Sequence, residues 1–132
     1  MTYTIVQTKD TEHIAEKQWG QNPTQIMFTM FTSCIGVVVK TTAGNIWGLH
    51  LVMTNDQNDF MTPDDMRSVV AQIPGGEQAF IIGQIRMWQD NLPQTYKILE
   101  DKINTYSQRN FYNRNDGIYG GRIQNGNLLP RP

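Results

Sequence analysis

The sequence predicts an α+β fold: a mostly antiparallel, sandwich-like sheet with flanking helices. Three observations carry this. Residues 25–53 hold two runs rich in Ile, Val, Phe, Met and Thr around Thr41-Thr42-Ala43-Gly44-Asn45, the pattern of a β-hairpin. Residues 62–73 and 91–106 place apolar side chains at helical spacing behind helix-start signals. The segments follow one another as strand, small helix, hairpin, helix, strand, helix, hairpin.

In chain order, residues 2–7 mix polar and β-branched residues and read as a first strand, and residues 11–18 as a short helix. Residues 20–23 break it. Residues 25–40 have strand composition, and residues 35–39 are apolar enough to be buried on both faces. After the Thr41 to Asn45 turn, residues 46–53 form the returning strand. Thr62-Pro63-Asp64-Asp65 offers a capping hydroxyl, a proline at the first helical position and an acid three residues after the cap. Met66, Val69, Val70 and Ile73 give that helix one apolar face, and Pro74-Gly75-Gly76 ends it. Residues 78–85 read as a third core strand. Tyr96, Leu99, Ile103 and Tyr106 mark the second helix, and Asn, Arg and Tyr fill the loop after it. A closing hairpin is expected over residues 117–129, turning at Asn125-Gly126 and stopped by Pro130.

The chain has 132 residues, and no repeat, linker or low-complexity tract divides them, so residues 1–132 are expected to form one domain. Eleven Lys and Arg face twelve Asp and Glu, a formal charge of −1, which argues against a polyanionic partner. Charged residues make up 17%, and Asn, Gln and Thr fill the deficit, giving a polar but lightly charged surface. The single cysteine, Cys34, excludes an intrachain disulfide and a cysteine-rich zinc site and fits a reducing compartment. The first residues lack the basic and apolar segments of a secretory signal, and no run approaches a membrane span. The expected location is cytoplasmic where the protein is made, which leaves open its delivery as an effector into a target cell.

One thiol and two imidazoles allow only the pairs Cys34–His50 and Cys34–His13. If Thr42, Ala43 and Gly44 form a three-residue hairpin loop, Thr41 pairs with Asn45, Gly36 with His50 and Cys34 with Val52. Cys34 is then the diagonal neighbour of His50 on one face. A two-residue Ala43-Gly44 loop pairs Val37 with His50 and turns Cys34 to the other face. In the first register His50 can take the thiol proton, leaving a thiolate that attacks an amide carbon. The alternative is that Cys34 is a small buried hydrophobe.

At these residues the sequence resembles the CheD family of chemoreceptor glutamine deamidases, whose fold and Cys-His site are shared by cytotoxic necrotizing factor and Burkholderia lethal factor toxins. Thr32-Ser33-Cys34-Ile35-Gly36-Val37-Val38-Val39 is similar to the family's Gly-Ser-Cys and the small, apolar strand after it. Trp47-Gly48-Leu49-His50-Leu51-Val52-Met53 is similar to its histidine segment. Ala79-Phe80-Ile81-Ile82-Gly83 resembles the strand that ends in glycines. Asp116-Gly117-Ile118-Tyr119-Gly120-Gly121-Arg122-Ile123, with Asn125-Gly126, resembles the closing hairpin. The family's threonine six residues before its cysteine falls on Phe28 here, and Thr29 is the nearest candidate for a third site residue.

The resemblance implies a thiol-dependent protein glutamine deamidase with Cys34 as nucleophile and His50 as base and acid. It needs no cofactor, and its partner is a protein presenting an exposed glutamine, on a chemoreceptor or on a regulatory protein of a target cell. A cysteine protease or transglutaminase-like acyl transferase with the same pair, and a non-catalytic interaction domain, are the competing readings. His13, near Glu12 and Glu16, reads as an exposed histidine. Zinc held by Cys34, His13, His50 and an acid lacks a recognisable ligand spacing. Tyr106, Arg109, Phe111, Tyr112 and Arg114 interleave aromatics with arginines, as single-strand nucleic-acid surfaces do, but with too few charges for strong phosphate binding. Neither nucleic-acid binding nor membrane insertion is expected.

Overall fold

The long hairpin at the centre of the chain organises everything else. In a computed structural model that describes residues 2–132, Ile35–Thr41 and Ile46–Leu51 pair antiparallel, with Lys40 opposite Ile46 and Gly36 opposite His50. The loop is the three-residue form. Thr41 donates its N–H to the Asn45 carbonyl at 2.8 Å, and Gly44 takes φ +88° to close the turn.

Around this hairpin the strands are β1 (Val6–Gln7), β2 (Gln18–Asn22), β3 (Gln25–Met27), β4 (Ile35–Thr41), β5 (Ile46–Leu51), β6 (Gly76–Gly83), β7 (Gln108–Asn113), β8 (Gly120–Gln124) and β9 (Asn127–Arg131). The helices are α1 (Pro63–Val70), α2 (Ile85–Asn91) and α3 (Pro93–Ile103). A six-stranded sheet runs β1-β2-β5-β4-β6-β7, and a three-stranded sheet runs β3-β8-β9. Pairing is antiparallel except for β1–β2 and β6–β7, so the fold is α+β with a mixed main sheet and a small antiparallel one.

Period-two alternation in the hairpin separates two apolar clusters. Ile35, Val37 and Val39, with Trp47, Leu49 and Leu51, face α1 and α3 and pack with Met66, Val69, Tyr96, Leu99 and Ile103. Cys34, Val38 and Ile46 face the small sheet and pack with Ile26, Phe28, Phe80 and Leu128. The main sheet is thus covered by helices on one face and by the small sheet on the other, so β4 is apolar and buried from Ile35 to Val39, before Lys40 and Thr41. Cys34 and His50 lie on the small-sheet side.

Five local expectations change. Residues 11–18 are an irregular strap instead of a helix. Asp10 turns the chain by accepting from the Glu12 N–H at 3.3 Å, and Ile14 donates its N–H to Met27 O at 2.9 Å, outside any helix. The break expected at residues 20–23 is part of β2, paired with β5 from Trp19↔Leu49 to Asn22↔Ile46. The loop expected after the second helix contains β7, an edge strand whose mostly exposed polar side chains carry no alternating apolar signal. The second helix expected over residues 91–106 is α3, opened by Pro93, and an unforeseen helix, α2, precedes it and buries Ile85 and Trp88. Pro130 lies within β9, opposite Gly121. Among the described residues, no helix is long and apolar enough to cross a membrane.

The capping box foreseen at α1 is formed: Asp65 N–H donates to Thr62 Oγ1 at 3.1 Å, and Thr62 N–H donates to Asp65 Oδ2 at 2.9 Å. Asp65 is buried and also accepts from Asn55 Nδ2 at 3.1 Å. Thr62→Ala is expected to lower unfolding free energy by about 1 kcal/mol, read from the denaturation midpoint at unchanged m value.

Candidate functional site

Cys34 and His50 meet because the three-residue loop sets the register. Gly36 lies opposite His50, and Cys34, two residues earlier, projects from the same face just before β4 begins. A ring nitrogen of His50, Cys34 Sγ and a Glu16 carboxylate oxygen all lie within 4.8 Å of one another. Glu16 comes from the strap at residues 11–18. Its sequence position beside His13 gave no sign of this role, because a strand pattern on residues 35–51 does not say which loop crosses it.

The strap is stitched to the site by backbone hydrogen bonds. Lys17 N–H donates to His50 O at 2.8 Å, while the Ile14 carbonyl accepts from Thr29 N–H at 3.0 Å and from His50 Nδ1 at 2.9 Å. A carbonyl can only accept, so Nδ1 carries the imidazole proton and Nε2 keeps its lone pair. Nε2 is buried and has no hydrogen-bond partner, which leaves it free to take a proton. Thr29 Oγ1 approaches His50 Nδ1 at 3.4 Å, a longer contact beside the Ile14 bond. The three residues expected at the site, Cys34, His50 and Thr29, are therefore brought together, and Glu16 and the Ile14 carbonyl join them. His13 is elsewhere, exposed and paired with Asp10 at 3.2 Å.

The His50 ring is walled by aromatics: the Phe31 centroid is 4.7 Å away and the Phe28 centroid 5.7 Å away. Gly36 makes this possible, since a Cβ there would come within 2.6 Å of Phe28. Burial among these rings pushes the His50 pKa below its usual value of 6.5, against smaller upward pulls from the Ile14 carbonyl and Glu16. The imidazole is neutral at neutral pH. Burial also pushes the Cys34 thiol up to about 11, and the Glu16 carboxylate adds to the rise; the thiol donates to the Thr32 carbonyl at 3.3 Å. Both groups rest uncharged, and both have no solvent exposure.

The turn that delivers Cys34 is held in a sparsely populated conformation. Ser33 has φ +65°, which a non-glycine residue adopts at a cost of order 1–3 kcal/mol. Its N–H donates to Asp116 Oδ1 at 2.9 Å and its carbonyl accepts from Trp88 Nε1 at 3.0 Å. Gln84 links the two neighbours, donating its backbone N–H to Cys34 O at 3.0 Å and its Nε2 to Asp116 Oδ1 at 3.1 Å. Gly83, at φ +127°, lets β6 pass so close that a Cβ would lie 2.5 Å from Cys34 O. These contacts hold the thiol in place and lower the Asp116 pKa, chiefly through the Ser33 N–H.

Chemically, the arrangement sets a thiol beside a neutral imidazole that keeps one lone pair unpaired. It also offers sulfur, nitrogen and oxygen donors to a single ion.

The pKa displacements fix the sign of the pH dependence. Below about pH 6.5 the unfolded chain binds a proton at His50 that the native imidazole resists, so acid destabilises the fold. Above about pH 9 the unfolded chain releases the Cys34 proton while the native thiol keeps it to about 11, so alkali destabilises it as well. Cys34→Ala is expected to flatten the fall in denaturation midpoint between about pH 9 and 10 and to leave the acid limb unchanged. An alkaline limb equal to the wild type would assign it to other groups. Compared with known proteins, the chain matches no protein-family model and no curated protein, so the reading of the site rests on its own residues.

Proposed function

We propose that this protein is a thiol-dependent protein glutamine deamidase, converting a side-chain amide to a carboxylate with release of ammonia. The observation that carries this reading is the His50 imidazole beside Cys34, its Nδ1–H tied to Ile14 O and its Nε2 without a partner. That is the tautomer a general base for the thiol needs.

In this reaction Nε2 takes the thiol proton as sulfur attacks the glutamine Cδ, forming a tetrahedral oxyanion. His50 returns the proton to the departing nitrogen, ammonia leaves, and Cys34 carries a thioester. A water then gives one proton to Nε2 and its oxygen to the acyl carbon. The C–S bond breaks, releasing glutamate and restoring the thiol. Thr29, 3.4 Å from Nδ1, helps hold the ring in place. Glu16, exposed above the buried thiol, is displaced by an entering glutamine side chain, which takes away the carboxylate that disfavours the thiolate. The substrate is a protein of a chemoreceptor system or of a target cell, met in the cytosol.

One observation favours a second reading. Cys34 has no solvent exposure and its thiol is held protonated, as a packed small hydrophobe in a non-catalytic interaction domain would be. Intact-mass analysis of cell proteins incubated with the wild type separates the two. Deamidation appears as a gain of one dalton per site with ammonia released. It is lost in Cys34→Ser and slowed about 10²–10⁴-fold in His50→Gln. No mass change on any protein supports the non-catalytic domain. Peptide cleavage or amine incorporation dependent on Cys34 assigns the same pair to acyl transfer.

A further inference from the structure

We propose that Glu16, Cys34 and His50 form a site for one borderline-soft divalent metal ion of the zinc type. The three donors come from separate parts of the chain, the strap at residues 11–18, the turn before β4 and strand β5, and their ligand atoms already lie within 4.8 Å of one another. Around a tetrahedral zinc, with bonds of about 2.0–2.3 Å, donor atoms sit roughly 3.3–3.8 Å apart. The remaining contraction falls to Glu16, the one exposed donor.

A second, independent observation points to a ligand there. His50 is wholly buried, yet its Nε2 has no partner, an arrangement that leaves a desolvated lone pair unsatisfied. Its other nitrogen donates to the Ile14 carbonyl, the outer contact that orients metal-binding histidines and leaves the opposite nitrogen to the ion. Sulfur, imidazole and carboxylate together select zinc-like ions over magnesium or calcium. Binding releases the Cys34 proton to solvent, and the thiolate and Glu16 carboxylate neutralise the ion's two charges, so the occupied site is neutral. Three protein ligands leave a fourth position to water. His13 takes no part, being exposed and paired with Asp10.

This site stands on donor geometry and not on the deamidase reading. If that reading holds, the bound ion occupies both the thiolate and the Nε2 lone pair and silences the enzyme. The test is binding. Co2+ added to the full chain is expected to give a sulfur-to-cobalt charge-transfer band at one ion per chain, displaced by Zn2+ and lost in Cys34→Ser. Glu16→Gln, a change at the surface, is expected to weaken Zn2+ by at least roughly tenfold, since loss of an outer supporting group alone costs about 10–100-fold. In the wild type, Zn2+ should slow alkylation of Cys34, and a chelator should restore it. A titration without the charge-transfer band overturns the site, as does Zn2+ affinity equal in wild type and Glu16→Gln.

Discussion

A neutral imidazole sealed inside a protein has one N–H and one lone pair to place, and at His50 the Ile14 carbonyl, 2.9 Å from Nδ1, decides which nitrogen holds which. The same carbonyl accepts the Thr29 N–H at 3.0 Å, and three residues further on Lys17 donates to the His50 carbonyl at 2.8 Å. Those bonds fix the course of the strap across the sheet, and the course of the strap puts Glu16 over Cys34. Breaking the Ile14 contact would leave a desolvated N–H unpaired and release the loop that covers the thiol. The tautomer, the course of the strap and the unpaired Nε2 are therefore consequences of one hydrogen bond.

The other half of the site is built by strain held in place. Ser33 at φ +65° is supported from both sides, by Asp116 at its N–H and Trp88 at its carbonyl, and Gly83 allows β6 to press against the Cys34 carbonyl. Strained backbone maintained by several elements is a feature of positions that must present a side chain in one orientation. The residues holding Cys34 come from α2, β6 and the turn before β8, so the thiol is set by the tertiary structure as a whole. The result is a buried thiol and imidazole, both neutral, with the exposed Glu16 carboxylate close beside them.

Much of this was legible in the sequence where local chemistry decides the outcome. The hairpin was legible, and Gly44, suited to the left-handed position, fits the three-residue loop, one of the two forms the sequence left open; that loop pairs Gly36 with His50 and puts Cys34 on the shared face. Thr62, Pro63 and Asp65 announced α1 because a capping box is local. What escaped was non-local. Residues 11–18 are composed like a helix but hold one buried apolar side chain, Ile14, whose backbone bonds go to a distant strand. The polar edge strand β7 pairs with β6 through backbone groups and leaves almost no side-chain pattern. Glu16 was hidden for the same reason as the strap that carries it, and the Ile14 carbonyl belongs to the backbone, which sequence motifs do not mark.

The proposed general base and the proposed metal ligand both require that Nε2 be the unprotonated nitrogen. Nitrogen-15 NMR of the His50 side chain in the native protein at about pH 8, well above the ordinary histidine pKa, reads that assignment directly. The structure predicts a neutral ring with the proton on Nδ1 and a pyridine-type Nε2. A ring protonated on Nε2, or an imidazolium at that pH, would contradict it.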